Sequence, residues 1–139
     1  MKQCFTIYGK PIPQARASVT TKGRKPHGFY PERCENWRET IQWSVKGSNP
    51  KPIELKGALS LKAIFYLPRP KSRPVSEQYP TSQREGDLKN FTSGLEDALQ
   101  GLCFKNDAQI VQHNTLKVYQ PDGHGSVGRV EIEITELEH

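Results

Sequence analysis

The chain has 139 residues, a length that suits one domain and is short for two well-packed cores. Hydrophobic residues make up 34% of the sequence, charged residues 25%, and the mean hydropathy is −0.74, which excludes wholesale disorder and indicates a modest core under a polar surface. No apolar run approaches the roughly 18 residues of a membrane helix and no signal-like segment follows Met1, so we expect a cytoplasmic protein.

The charge is divided unevenly along the chain. Residues 1–75 hold 15 Lys and Arg against 4 Asp and Glu, whereas residues 76–139 hold 5 against 11. A basic surface beside clustered carboxylates is typical of a protein that binds a polyanion and gathers acids around a metal. The three cysteines are far apart and lack ligand spacing, which indicates reduced thiols rather than disulfides or a zinc site.

The first elements are a strand and an irregular segment. Residues 5–8 alternate in polarity and stop at Gly9, which predicts a short first strand. Prolines in segment 9–18 exclude a regular helix or a central strand there. Segment 20–28 is polar and basic, and we expect it to form a loop.

A helix and a second strand follow. The helix is predicted between Tyr30-Pro31 and Gly47 because three large apolar residues recur at helical spacing. These residues are Trp37, Ile41 and Val45. Alternating apolar residues predict the second strand over 58–67, and the proline-rich stretch after it opens a long loop to about Gly86.

The second half of the chain predicts a helix over 87–102 and strands over 108–119 and 129–135. The order β-α-β-α-β-β indicates an α+β fold, a single small domain with a mixed β-sheet packed against two main helices. We assign residues 1–136 to this domain and interpret residues 137–139 as the remnant of an expression tag.

The second helix carries a polar stripe beside its apolar face. Four residues at helical spacing form this stripe: Asp87, Asn90, Gly94 and Asp97. Gly94 is costly inside a helix by about 1 kcal/mol, which indicates close approach of another backbone or of a ligand. Asp107 lies at the entry to the next strand, and we expect it to converge with Asp87 on one cation if that strand packs beside the helix N-terminus.

Paired aspartates have a clear use in phosphodiester cleavage. Hard oxygen ligands hold Mg²⁺, which activates a water molecule and compensates the charge that grows on the leaving oxygen. Each residue taken singly also has an ordinary structural role, since Asp87 suits a helix N-cap and Asp107 suits a turn. The residues alone leave both interpretations open.

The segment Gly86-Asp87-Leu88-Lys89-Asn90, with Asp97-Ala98-Leu99 and Asn106-Asp107-Ala108-Gln109 after it, resembles the core signature of RusA-type Holliday junction resolvases. The N-terminal Gly9-Lys10-Pro11, Arg16, Tyr30-Pro31 and a Trp-containing helix are similar to the start of that family. The order of elements also fits, so the resemblance covers nearly the whole chain.

The resemblance implies a small homodimeric endonuclease of bacteria or prophages that cuts four-way DNA junctions with Mg²⁺ or Mn²⁺. Asp87 and Asp107 match metal-binding aspartates of the family, Asp97 matches a further motif acid, and Asn90 and Gln109 match supporting positions. These residues are therefore the candidate catalytic set.

Three departures from the family pattern bear on catalysis. Lys89 stands where the family has its second motif aspartate, Ser93 replaces a lysine, and Asn106 replaces the first of two paired aspartates. Glu85, Glu96 or Asp97 is a candidate replacement acid, and Lys89 a candidate catalytic cation. One alternative is that the chain binds junctions or other DNA and has lost catalysis, because a cation within a metal site repels Mg²⁺. Another alternative is a nuclease that acts on flaps or single strands.

We expect basic residues in two early loops to contact DNA phosphates. Such contacts are independent of base sequence and sensitive to salt. The candidates are Lys10, Arg16, Lys22, Arg24, Lys25, Arg69, Lys71 and Arg73.

Overall fold

The computed structural model describes residues 1–15, 18–20, 27–29, 31–121 and 123–138. Its strands and α-helices are, in chain order, β1 (Lys2–Tyr8), β2 (Ser18–Thr20), β3 (His27–Phe29), α1 (Glu32–Lys46), β4 (Leu59–Leu67), α2 (Leu88–Leu99), β5 (Ile110–Tyr119) and β6 (Arg129–Glu136). Single 3₁₀ turns at Gln83–Glu85 and Asp107–Gln109 precede α2 and β5. Among the described helices, none is long and apolar enough to cross a membrane.

One four-stranded sheet organises the domain, in the order β1-β6-β4-β5. The β1-β6 and β6-β4 pairs are antiparallel, whereas β4 and β5 are parallel, so the sheet is mixed. Alternate residues of β4 are buried, and they form one core with the apolar residues of α1 and α2. The α+β fold with a mixed sheet and two main helices is confirmed.

Both predicted helices are present, and their buried residues follow the sequence periodicity. In α1 the buried residues are Trp37, Ile41 and Val45, and the helix ends at Gly47 as predicted. The helix α2 buries a stripe that includes Phe91 and Leu95, but it ends at Leu99 rather than at residue 102. Gln100 takes an extended conformation there and Gly101 follows with a φ of +89°, which ends the helical path.

Two predictions of local structure need correction. Segment 20–28 is not simply a loop, because β2 and β3 pair as antiparallel strands at its two ends; residues 21–26 lie outside the described part. The strand predicted from residue 108 begins at Ile110, because Asn106 and Gln109 form a capping box around the 3₁₀ turn.

Residues 9–14 form a strap that runs from the end of β1 across α2. The backbone N–H of Gln14 donates a hydrogen bond to the carbonyl of Asn90 at 3.0 Å. A Cβ at Gly94 would lie 3.3 Å from the Cβ of Gln14, and a Cβ at Gly86 would lie 2.7 Å from the Cγ of Pro13. Close approach of the strap at Gln14 therefore explains the glycine inside α2.

Candidate functional site

The N-terminal end of α2 presents the first motif acid to solvent. Asp87 is the N-cap residue of α2, is exposed, and makes no capping hydrogen bond through its side chain. The helix dipole stabilises a carboxylate at this position, and no capping hydrogen bond to the backbone occupies it. Lys89 is also exposed, one residue inside the helix.

Glu85 lies two residues before Asp87 and is held by β5. Its Oε1 accepts a hydrogen bond from the Tyr119 hydroxyl at 2.8 Å, and burial together with this carboxylate raises the pKa of Tyr119 to about 12. The Lys117 Nζ donates to the carbonyl of Gly86 at 2.7 Å. The end of β5 therefore anchors the chain that leads into α2.

The second motif acid lies at the other end of α2. The backbone N–H of Asp107 donates to Oε1 of Gln100 at 3.0 Å, and Gln100 is the C-cap residue of α2. With a rise of about 1.5 Å per residue, the backbones of Asp87 and Gln100 lie about 20 Å apart. The structure therefore does not bring Asp87 and Asp107 together within one chain, contrary to the convergence expected from the sequence.

The direction of β5 explains this separation. Along β5, His113 contacts Glu96 in the C-terminal half of α2, whereas Lys117 and Tyr119 contact the residues that precede α2. The strand thus runs antiparallel to α2, and its first residues lie at the C-terminal end of the helix.

Three acids gather near the C-terminal end of α2. Burial raises the pKa of Glu96; its His113 partner opposes this rise, and the carboxylates of Asp107 and Asp97 add to it. Asp97 is itself held by the strap, because its Oδ2 accepts a hydrogen bond from Nε2 of Gln14 at 2.7 Å.

The donor set of one chain does not fit a divalent cation. Among the described residues, no three His, Cys, Asp or Glu side chains are grouped closely enough to hold a metal. Asp87 and Asp107 are too far apart to share an ion, and Lys89 adds positive charge near Asp87.

The Gln109 side chain stabilises the turn that carries Asp107 through hydrogen bonds to the backbone. Its Oε1 accepts the backbone N–H groups of Lys105 and Asn106, each at 3.0 Å. Its Nε2 donates to the carbonyls of Leu55 and Gly57 at 3.3 and 3.0 Å. Gln109 therefore supports the position of Asp107 through the backbone.

Arg69 lies in the interior, with 6% of its surface exposed. Its guanidinium donates to the carbonyls of Pro74, Glu77 and Gln120, and it stacks over the Tyr119 ring at 5.0 Å. Because this side chain holds the loop after β4, we exclude Arg69 from the proposed phosphate contacts.

The structure describes the side chains of only some of the other residues expected to contact phosphates. Lys10 and Lys71 are exposed, whereas Arg73 is half-buried and pairs with Glu77 at 3.4 Å. The remaining candidates lie outside the described residues or have undescribed side chains: Arg16, Lys22, Arg24 and Lys25.

A cleft of about 410 Å³ lies between the strap, the start of α1 and the loop that precedes α2. Besides Lys10 it is lined by two cations that the sequence analysis did not single out, Arg33 and Arg84. Glu85 lines the same cleft, so the cleft opens beside the Asp87 end of α2. Arg33 lies in the first turn of α1, two residues after Pro31, and Arg84 lies in a 3₁₀ turn. No sequence pattern indicates that two residues so far apart along the chain line the same cleft.

The sequence model of the family described as endodeoxyribonuclease RusA matches residues 8–135. The chain belongs to the RusA family. A relative from Bacillus subtilis (strain 168), named uncharacterized protein YqaN, is 28% identical over 141 residues, covering 96% of this chain and 95% of the relative.

Family membership sets the broad biochemistry. It implies endodeoxyribonuclease activity in general, and RusA-family nucleases act on branched DNA junctions and generally depend on a divalent metal. The family generally needs a divalent metal, but the described acidic side chains of a single chain are not grouped closely enough to bind one.

Proposed function

We propose that this RusA-family chain is a structure-specific endodeoxyribonuclease that resolves four-way DNA junctions in recombination and repair. It acts as a homodimer whose Mg²⁺ or Mn²⁺ sites are completed between two chains. The observation that carries the proposal is the placement of Asp87 and Asp107 at opposite ends of α2, beside an edge strand that runs antiparallel to it.

The strand β5 is suited to pairing with a second copy. It lies at the edge of the described sheet and is ten residues long, and most of its N-terminal half is exposed. Val111 and Leu116 are 64% and 43% exposed, although both are apolar. A long, exposed edge strand is a template for pairing with another chain.

Two-fold pairing along β5 reconciles the separated acids. A two-fold axis perpendicular to the sheet pairs the strands antiparallel and keeps both α2 helices on one face. The start of one β5, which follows Asp107, then lies beside the end of the other, which contacts Glu85. Asp87 and Glu85 thereby approach the partner's Asp107.

The charges along this edge complement one another in the same arrangement. Lys89 and Lys117 lie toward the Asp87 end of α2, whereas Glu96 and Asp107 lie toward the other end. Antiparallel pairing brings these two lysines toward the partner's Glu96 and Asp107, which offsets the repulsion between Glu85, Asp87 and the partner's Asp107 in this register.

Two of the three residues that depart from the family motif lie along the same edge. Lys89 and Ser93 line a groove between α2 and β5 that also contains Glu96 and His113. In the proposed dimer Asp87, Glu85 and the partner's Asp107 would hold the metal, and Asp97 remains a candidate supporting acid. Bound Mg²⁺ supplies a more acidic water and stabilises charge on the leaving oxygen. Two equivalent sites about one axis suit paired, symmetric cuts in a junction.

A complementation assay tests the shared site. We expect Asp87→Asn and Asp107→Asn homodimers to leave a labelled four-way junction uncut with Mg²⁺, whereas a mixed dimer of the two variants retains one intact site and nicks one strand. If every site were built within one chain, the mixed dimer would contain no intact site. An inactive mixed dimer formed from an active wild type would contradict the proposal.

A readout independent of cleavage accompanies this assay. Sedimentation of the wild type is expected to show a dimer, and Leu116→Arg, on the open edge strand, to shift it to monomer and abolish Mn²⁺ binding. Thr6→Arg provides a matched control, because Thr6 is exposed on β1 at the opposite edge of the sheet. A monomeric wild type would refute the shared site.

The specific observation that favours a second function is Lys89, a cation two residues from Asp87. The second candidate is a junction-binding protein that does not cut. It predicts that the wild type binds the junction without cleaving it and that Lys89→Asp restores Mg²⁺-dependent nicks. Cleavage by the wild type that Asp87→Asn abolishes would exclude this candidate.

A further inference from the structure

The cleft at the Asp87 end of α2 contains unpaired positive charge. The side chains of Lys10, Arg33 and Arg84 line it, and none of the three makes a hydrogen bond or ion pair with a described residue. Converging cations without partners produce a positive potential that attracts an anion.

Negative charge in the cleft is limited and already engaged. Among the described lining residues, Glu85 is the acid, and its Oε1 accepts the Tyr119 hydroxyl. Exposed cations elsewhere are neutralised by neighbours, as in the pairs Lys2–Glu133 and Lys56–Glu54. The cleft therefore differs from those paired regions of the surface.

The walls of the cleft are stiff. Four prolines line it, and proline fixes one backbone dihedral. The strap is seated against α2 by the hydrogen bond from Gln14 to Asn90, and Pro13 packs where Gly86 lacks a side chain. A rigid frame lowers the entropy lost when the cations hold a ligand.

We propose that this cleft binds a phosphodiester segment of the DNA backbone, with Arg33, Arg84 and Lys10 contacting phosphate oxygens. Guanidinium groups suit this role because their planar donors match two oxygens of one phosphate. The bound strand continues toward Asp87, since Glu85 in the cleft wall is two residues from that acid. The inference rests on the proposed function only in taking DNA as the ligand.

The expected effect is measurable in the salt dependence of binding. Each phosphate contact contributes about 0.9 to the slope of log affinity against log salt concentration. Loss of one contact therefore lowers the slope by about 0.9 and weakens binding about eightfold at 0.1 M salt. In the homodimer each substitution removes one contact from each of two clefts, so we expect a single variant to lower the slope by about 1.8 and loss of both arginines to lower it by about 3.6.

The experiment measures binding of a fluorescent four-way junction in Ca²⁺ buffer at several salt concentrations. Arg33→Gln, Arg84→Gln and the double variant are compared with the wild type. Lys46→Gln is the control. This substitution also removes one positive charge, but Lys46 is exposed at the opposite end of α1 from Arg33 and from the cleft. Arg84→Lys keeps the charge and is expected to keep most of the slope.

The outcomes separate this inference from the proposed function. A lowered slope in both glutamine variants, with an unchanged slope in Lys46→Gln, supports the cleft even if the wild type neither prefers junctions nor cuts them. Unchanged slopes in folded variants refute the cleft while leaving junction cleavage intact. If Arg33→Gln fails to fold by circular dichroism, Arg84→Gln decides, because Arg84 is exposed on a short turn.

Discussion

Replacement of Arg69 by methionine separates a structural role from DNA binding. The guanidinium donates to three carbonyls, at 2.7 Å to Pro74, 3.3 Å to Gln120, and to Glu77. Methionine keeps much of the apolar stem but removes every donor. We therefore expect the variant to be less stable and, where it remains folded, to bind DNA with an unchanged salt dependence.

The size of the loss follows from the surroundings of each carbonyl. Pro74 is exposed and Glu77 half-buried, so water can replace the lost donor at a cost of about 0.5–1 kcal/mol each. Gln120 is 4% exposed, and its carbonyl loses a partner within the interior at a cost of about 1–2 kcal/mol. With the lost stacking on Tyr119, the total is about 3 kcal/mol, or roughly 10 °C in Tm.

Thermal and urea unfolding followed by circular dichroism measure this loss. Arg73→Met is the matched control, because Arg73 lies in the same loop and makes a part-exposed ion pair with Glu77 that contributes at most about 1 kcal/mol. Arg69→Met would refute the reasoning if it unfolded within about 0.5 kcal/mol of the wild type and lowered the salt slope of junction binding.

Two further predictions concern the chain that leads into α2. Gly86→Ala is expected to destabilise the fold by about 1–3 kcal/mol more than Gly101→Ala. Both glycines have a positive φ, but only at Gly86 would the added Cβ lie 2.7 Å from the Cγ of Pro13. Equal losses of Tm in the two variants would contradict this prediction. The pKa of Tyr119 is raised to about 12 in the folded protein, so the Tyr119 hydroxyl loses its proton at lower pH in the unfolded chain than in the folded one. The free energy of unfolding therefore falls as the pH rises from about 10 to 12. Urea unfolding of Tyr119→Phe should show a shallower fall over that range, and an identical pH profile would count against the assignment.

The helices and strands were largely predictable from local pattern. The buried positions of α1 and the alternation in β4 follow from periodicity alone, because an apolar face must be buried whichever neighbour covers it. Gly94 also predicted close approach of another backbone or of a ligand, and the strap makes this approach. The short strands β2 and β3 were not predicted, because three residues are too few to show alternation.

The family signature was likewise readable in the sequence, and it pointed to Asp87 and Asp107 as acids of one site. The spacing alone allowed either arrangement, because the residues between Leu99 and Asp107, if fully extended, could reach back along α2. The antiparallel course of β5 decided that question, and it separates the two acids by the length of α2.

The sequence by itself determined the fold class, the family and the uneven charge. Only the tertiary structure decided which cations face solvent. Arg69 is buried because backbone carbonyls distant in sequence surround it, whereas Arg33 and Arg84 meet at one cleft although 51 positions separate them. Local periodicity indicates which face of a helix or strand is buried. Which side chains meet at a site depends instead on contacts between segments that are distant in sequence, and a local pattern does not predict those contacts.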